Sequence, residues 1–214
     1  MKRYIALTFI CMLLIHSQQA CHAFSWHKVR WVSDGDTIVL DNSFKVRYIG
    51  INAPELEHAD HKEEPYGEAA KRFNASLVNR KKVRLEFDKE RTDRYKRLLA
   101  YVFLRDGIFV NAEMLSNGYA YLLVHRPNLK YKAILLKSQR IAMTAKKGIW
   151  RNWRESKKIY VGNKRSYRFH LPSCSFGKQI KTQNRIIFKK QQDAYWEGYA
   201  PAKRCMPVFE IPKN

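Results

Sequence analysis

The sequence predicts an α+β fold that is mainly β: a small closed barrel of five short strands carrying three helices, followed by a small basic C-terminal module. Three observations predict it. Apolar residues recur at every second position through residues 29–48, interrupted by tight turns. Three later stretches carry apolar residues at helical spacing. Strands come first and mixed elements follow, an order that argues against a doubly wound parallel sheet. A chain of 214 residues has room for one fair-sized domain plus a module, and its 13% aromatic content supplies enough apolar surface to fold.

Residues 1–23 read as a secretory signal peptide. Lys2 and Arg3 form a basic start, Tyr4 to Ile15 an apolar stretch too short to span a bilayer comfortably, and Ala20 to Ala23 a small-residue end. Cleavage is expected after Ala23, leaving an exported protein, periplasmic or secreted, with no stable membrane insertion. A retained anchor, or a lipoprotein site at Cys21, is the lesser reading, because Gln18-Gln19-Ala20 lacks the apolar residue a lipoprotein site needs. Cys11 and Cys21 leave with the leader, so Cys174 and Cys205 are the mature pair.

The formal charge is +22, or +20 once Lys2 and Arg3 are removed, and the sequence pI is near 10.0. Such a field favours polyanions: nucleic acid, anionic lipid or acidic polysaccharide. No strongly basic amphipathic helix outside the expected core supports the lipid reading.

In chain order, Val29 and Trp31, then Ile38 and Leu40, then Phe44, Val46 and Tyr48 read as the inward face of a three-stranded antiparallel meander. Asp34-Gly35 and Asp41-Asn42-Ser43 are its turns. Gly50 and Pro54 end the third strand, and polar residues 56–64 form a loop. Tyr66, Ala69, Ala70, Phe73 and Leu77 predict a helix, and residues 83–87 and 98–103 predict two further strands. Asn111 is placed to cap a short helix that contains Met114 and Leu115 and closes at Gly118. A last helix over about 131–147 presents Ile134, Leu135, Ile141, Ala142 and Ala145 on one face, with Ile149-Trp150 packing back. An OB-type barrel is the most economical architecture for this set, and it commonly binds oligonucleotides. Residues 26–153 thus form the main domain and 154–162 a linker. Residues 163–214 form a second module; from 154 onward 14 Lys and Arg face 4 Asp and Glu.

Residues 34–55 collect groups suited to phosphodiester chemistry, which needs positive charge for the phosphorane, a water held in line, and a group to orient that water. Asp36 can face a hard cation. Arg47 can fork onto two phosphate oxygens, Arg97 can add a second clamp, and Glu55 can serve as base. Taken singly, each has an ordinary reading as a turn residue, an edge charge or part of a solvated run.

Taken together they carry a resemblance. DGDT at 34–37, VRYIGINAPE at 46–55, YGEAA at 66–70, RTDRYKRLLAYV at 91–102 and VNAEMLSNGYA at 110–120 resemble the staphylococcal nuclease (thermonuclease) family in order and spacing. The resemblance implies an OB-fold barrel with three helices and calcium-dependent endonucleolytic hydrolysis of DNA and RNA by a monomer. It places Asp36, Asn52 and Ala53 at the calcium, Arg47 and Arg97 on the scissile phosphate, and Glu55 on the water. Tyr95 falls beside the substrate. The family pattern has Asp-Thr where this chain has Asn52-Ala53; losing one charge predicts weaker calcium affinity or tolerance of another ion. YLLVHRP at 121–127 aligns with a gap, which puts His125 or Arg126 where tyrosines are expected near the base. A noncatalytic nucleic-acid-binding protein of the same fold is the alternative, and retention of all four of Asp36, Arg47, Glu55 and Arg97 favours the enzyme.

FHLPSC at 169–174 and GYAPAKRC at 198–205 resemble the zinc-binding module of the Ada DNA-repair protein. His170, Cys174 and Cys205 fall on three ligand positions, with Ala202 where a fourth is expected. Zn2+ at these residues, a Cys174–Cys205 disulfide, or neither, all remain open.

Overall fold

The computed structural model describes residues 25–57, 62–153 and 158–206; the expected signal peptide lies outside the described residues. In chain order the first unit contains β1 (Trp26–Asp34), β2 (Thr37–Leu40), β3 (Lys45–Tyr48), β4 (Ile51–Asn52), α1 (Gly67–Val78), β5 (Lys82–Glu86), β6 (Leu98–Phe103), α2 (Val110–Ser116), β7 (Tyr121–Leu122) and α3 (Lys132–Thr144). The first three strands form the expected antiparallel meander. The third then pairs in parallel with β6, and β5 closes the barrel between β6 and β1. A separate two-stranded ribbon joins β4 to β7.

The meander departs from simple alternation at one place. The β1–β2 register shifts between Val29 and Trp31 and again between Val32 and Asp34. These bulges turn Val32 inward beside Val29, while Trp31, expected inward, is 44% exposed. Phe44, also expected inward, lies at the β2–β3 turn and is exposed. The barrel interior is filled by Val29, Ile38, Leu40, Val46, Tyr48, Val83, Ala100 and Val102.

Two helix expectations are corrected. Asn111 does not cap α2; Phe109 holds that place. Asn111 is buried inside the helix, where its Oδ1 accepts from the Val102 amide at 2.9 Å and its Nδ2 donates to the Ile49 carbonyl at 2.9 Å. It satisfies two barrel backbone groups that would otherwise be buried unpaired. In α3, Leu135 and Ala142 are buried with Ser138, Gln139 and Met143, whereas Ile134, Ile141 and Ala145 face out. The helix packs along a polar-centred stripe because Gln139 has backbone partners there: Oε1 accepts from the Leu122 amide and Nε2 donates to the Tyr195 carbonyl, each at 2.6 Å.

The remainder forms a second unit: β8 (Tyr160–Asn163), β9 (Arg168–His170), α4 (Ser175–Lys178), β10 (Arg185–Phe188), α5 (Gln191–Trp196) and β11 (Ala200–Pro201), in a sheet of order β10-β8-β9-β11. Strand β8 begins at Tyr160, so three residues of the stretch read as linker are sheet. This unit is not a loose appendage. Phe169, Phe188 and Tyr195 share one apolar cluster with Tyr121, Ala142, Met143, Ile149 and Trp150 of the barrel unit. Burial of each such side chain contributes about 1.5–3 kcal/mol. Among the described residues, no helix is long and apolar enough to cross a membrane.

Candidate active site

The β1–β2 turn builds the first wall of the site. Asp34 Oδ1 accepts from the Asp36 amide at 2.9 Å, an Asx turn that aims the Asp36 side chain across the barrel end. There Asp36 Oδ2 accepts from the Ala53 amide at 2.7 Å, and Thr37 Oγ1 lies 3.2 Å from Oδ1. Gly35 lets this happen: a Cβ there would lie 2.5 Å from the Ala53 Cβ and 2.8 Å from that of Ala70. The turn is thus pressed against Ala53 and Ala70 by a close approach that only glycine permits.

Arg47 comes from β3, opposite Thr37 on one side and Leu99 on the other. Its guanidinium is gathered inward, with NH2 2.9 Å from Asp36 Oδ2 and 3.0 Å from Asn52 Oδ1, and NH1 donating to the Tyr48 and Ile51 carbonyls. Arg97 begins from the other side of the cleft, just before β6. Asp93 Oδ2 accepts from its Nε at 2.7 Å, while Asp93 Oδ1 accepts from the Arg97 and Tyr95 amides. Glu55 follows Pro54, and a reciprocal pair fixes its backbone: its amide donates to Glu64 Oε2 and its carbonyl accepts from the Glu64 amide. Glu55 Oε1 meets Lys203 Nζ at 2.7 Å.

Asp36, Arg47, Asn52, Glu55, Tyr95 and Arg97 all line one open cleft of about 710 Å³. Ala53 sits behind it, buried, with its carbonyl accepting from Asn52 Nδ2 at 2.9 Å. The cleft also holds Asp34, Glu90, Asp93 and Arg94, so its carboxylates outnumber its guanidinium groups. Asp36 is the most perturbed of them. Burial pushes its carboxyl up to about 7; Arg47 opposes this, and the neighbouring charges of Asp34 and Glu55 add to it. One guanidinium therefore leaves this buried carboxylate undercompensated. A carboxylate, an amide oxygen and a backbone carbonyl together form an all-oxygen donor set, which suits a hard cation such as Ca2+. The donor types suit that ion, and Arg47 NH2, bonded to Asp36 Oδ2 and Asn52 Oδ1, has to withdraw for these oxygens to face it.

Tyr95 is 63% exposed at the cleft mouth, with the Arg94 and Arg97 guanidinium groups 4.7 and 5.5 Å from its ring centre and its hydroxyl accepting from Arg94 NH2. His125 also lines the cleft, its Nδ1 3.9 Å from Glu90. Arg126 turns away: it donates to the Arg165 carbonyl and stacks over Tyr167. Three contributors escaped sequence reasoning. Asp93, four residues before Arg97, was readable as an orienting carboxylate from that spacing. Glu64 and Lys203 were not, because nothing local marks contacts across 9 and 148 residues.

In the second unit, Cys174 and Cys205 are joined in a disulfide with Cα atoms 5.9 Å apart. His170 Nδ1 lies 3.6 Å from each sulfur. The three side chains gather as the resemblance to the Ada module implied, within 4.8 Å of one another, and the cross-linked sulfurs are not thiolates. Burial and the nearby Arg168 hold the His170 imidazole below its usual range.

A family model described as "Staphylococcal nuclease homologue" matches residues 45–152. A thermonuclease of Staphylococcus hyicus is 40% identical over 129 residues, covering 59% of this chain and 76% of the relative. Endonuclease YncB of Bacillus subtilis (strain 168) is 42% identical over 136 residues, 61% of this chain and 62% of the relative. Endonuclease YhcR of the same organism is 28% identical over 208 residues, 85% of this chain and 17% of the relative, a span that reaches past residue 153. The chain belongs to the staphylococcal nuclease homologue family.

Proposed function

We propose that this protein is an exported, metal-dependent nuclease that hydrolyses phosphodiester bonds in DNA and RNA. The observation that carries the reading is the convergence of Asp36, Arg47, Glu55 and Arg97, from four separate segments, on one open cleft. Family membership and the names of the relatives, thermonuclease and endonuclease, support the reaction class. The basic N-terminal leader and the Cys174–Cys205 cross-link support export to an oxidising compartment.

Each residue has a defined task. Arg97 offers N–H donors to the non-bridging oxygens of a phosphate in the cleft, and Arg47 stands opposite as fixed positive charge, its NH2 turning to the phosphate when it leaves Asp36 and Asn52. Asp93 keeps the Arg97 guanidinium in its cleft-facing orientation, which reduces the ordering needed on binding. Glu55, partly exposed, accepts a hydrogen bond from water and takes its proton as the water oxygen bonds to phosphorus and the P–O bond to the leaving sugar oxygen breaks, that oxygen being protonated from solvent. Tyr95 offers its ring to a base or sugar. Asp36, Asn52 and the Ala53 carbonyl are the residues that would hold Ca2+, with Asn52 in place of a carboxylate favouring modest affinity. When bound, the ion supplies Lewis-acid stabilisation of phosphate charge.

The test is cleavage of denatured DNA and RNA by the mature protein with Ca2+, Mg2+, Mn2+ or chelator. Chelation is expected to abolish cleavage. Glu55→Gln and Arg97→Ala are each expected to lower kcat by about 10²–10⁴-fold. Wild-type cleavage by both variants would sink the assignment.

A further inference from the structure

The cleft has an electrostatic deficit. Five carboxylates line it (Asp34, Asp36, Glu55, Glu90 and Asp93) against the guanidinium groups of Arg47, Arg94 and Arg97. Its side chains alone leave a polyanionic strand under-neutralised, and the cation of the proposed function offsets this only at the scissile phosphate, so a strand gains from each further cation at the cleft edge. The second unit supplies one. Lys203 lies on the turn that follows β11, and its ammonium reaches Glu55 Oε1 across 148 residues of sequence.

That turn is held at both ends. The Ala202 amide donates to the Phe169 carbonyl at 2.9 Å, Cys205 is cross-linked to Cys174, and Met206 is buried in the shared apolar cluster. The backbone under Lys203 is therefore fixed, while its side chain is free to swing. Lys203 and Glu55 are 45% and 40% exposed, and an ion pair so accessible to water holds weakly. It is too weak to act as a lock on the site. It does keep an ammonium at the cleft edge, within a side-chain rotation of an incoming strand.

We propose that Lys203 is a substrate-binding residue donated to the active site by the C-terminal unit. In the free enzyme it rests on Glu55. When a strand binds, the ammonium moves to a phosphate beside the one being cleaved, where it neutralises backbone charge, and Glu55 Oε1 is released to hold water. This assignment rests on the reading of Glu55 given above.

The experiment measures kcat and KM on single-stranded DNA across a NaCl series for wild type, Lys203→Ala and Lys203→Arg. Lys203 is exposed, so neither change threatens folding. For Lys203→Ala, KM is expected to rise about three- to fivefold. The slope of log(kcat/KM) against log[salt] is expected to become shallower by about 0.7, the contribution of one phosphate contact on a single strand. Lys203→Arg, which keeps the charge, restores both. A rise in kcat/KM for Lys203→Ala would mean that the pair is an inhibitory latch and would overturn the proposal. Unchanged KM and salt slope would overturn it equally. Glu55→Gln, assayed alongside, separates the two readings: wild-type kcat in that variant removes Glu55 as base while the Lys203 salt slope stays interpretable. An inactive Glu55→Gln with a silent Lys203→Ala defeats the lysine assignment alone.

Discussion

Replacing Gln139 with methionine tests whether the barrel and the C-terminal unit are one cooperative structure. Methionine has similar length and packs readily, so the substitution removes hydrogen bonds with little change in volume. Gln139 is fully buried; its side chain accepts from the Leu122 amide and donates to the Tyr195 carbonyl, both at 2.6 Å. The two losses are unequal. The Tyr195 carbonyl keeps the Gly198 amide as a partner at 2.9 Å, so it forfeits one bond of two, about 1 kcal/mol. The Leu122 amide lies buried in β7 and is left without the Gln139 oxygen, at about 1–3 kcal/mol. The sum is about 3 kcal/mol, which in a folded body of this size lowers Tm by roughly 6–12 °C. The assay is thermal unfolding followed by far-UV and near-UV circular dichroism, with nuclease activity after brief heating. One transition, shifted by that amount in all three signals, is expected. A shift under about 1 kcal/mol, or a barrel transition that stays put while a second one moves, would refute the view that Gln139 joins the two units.

Two further outcomes follow from the site. Gly35→Ala places a methyl within 2.8 Å of Ala53 and Ala70; pushing residues 53–55 outward should cost about 1–3 kcal/mol of stability and also reduce kcat, read by urea unfolding and steady-state kinetics. Asp93→Asn should lower kcat about tenfold at neutral pH by loosening Arg97, with far smaller loss in overall binding. The same variant has a pH signature. Partial burial would raise the Asp93 carboxyl, but hydrogen bonds from the Arg97 side chain and backbone outweigh it and hold the group below the usual carboxylate range. A folded-state pKa depressed in this way contributes stability above the unfolded value near 3.8, lost as pH falls through the folded one. Wild type should therefore lose Tm more steeply than Asp93→Asn below about pH 4, and parallel profiles would count against the pair.

By itself the sequence determined the barrel and most of the charged residues that line its cleft. Period-two apolar residues with Asp-Gly and Asp-Asn-Ser turns specify a meander because pleat and turn chemistry are local. DGDT, VRYIGINAPE and RTDRYKRLLAYV carry Asp36, Arg47, Glu55 and Arg97 in or close beside short strands, and the barrel gathers them at one cleft. Asp93 belongs to the same legible layer, being one short turn from Arg97. What only the tertiary structure decided depends on contacts between distant segments. The bulges that turn Trp31 outward answer to the β1–β2 register, not to alternation along one strand. Asn111 looks like a cap, and nothing local marks Gln139, until the buried backbone groups they serve arrive from other elements. The C-terminal residues read as a basic appendage because charge is visible in composition, whereas a shared apolar cluster is not. Lys203 is one lysine among many in sequence; only the closure of that cluster brings its ammonium to Glu55, since side-chain proximity across 148 residues is a property of packing and not of pattern.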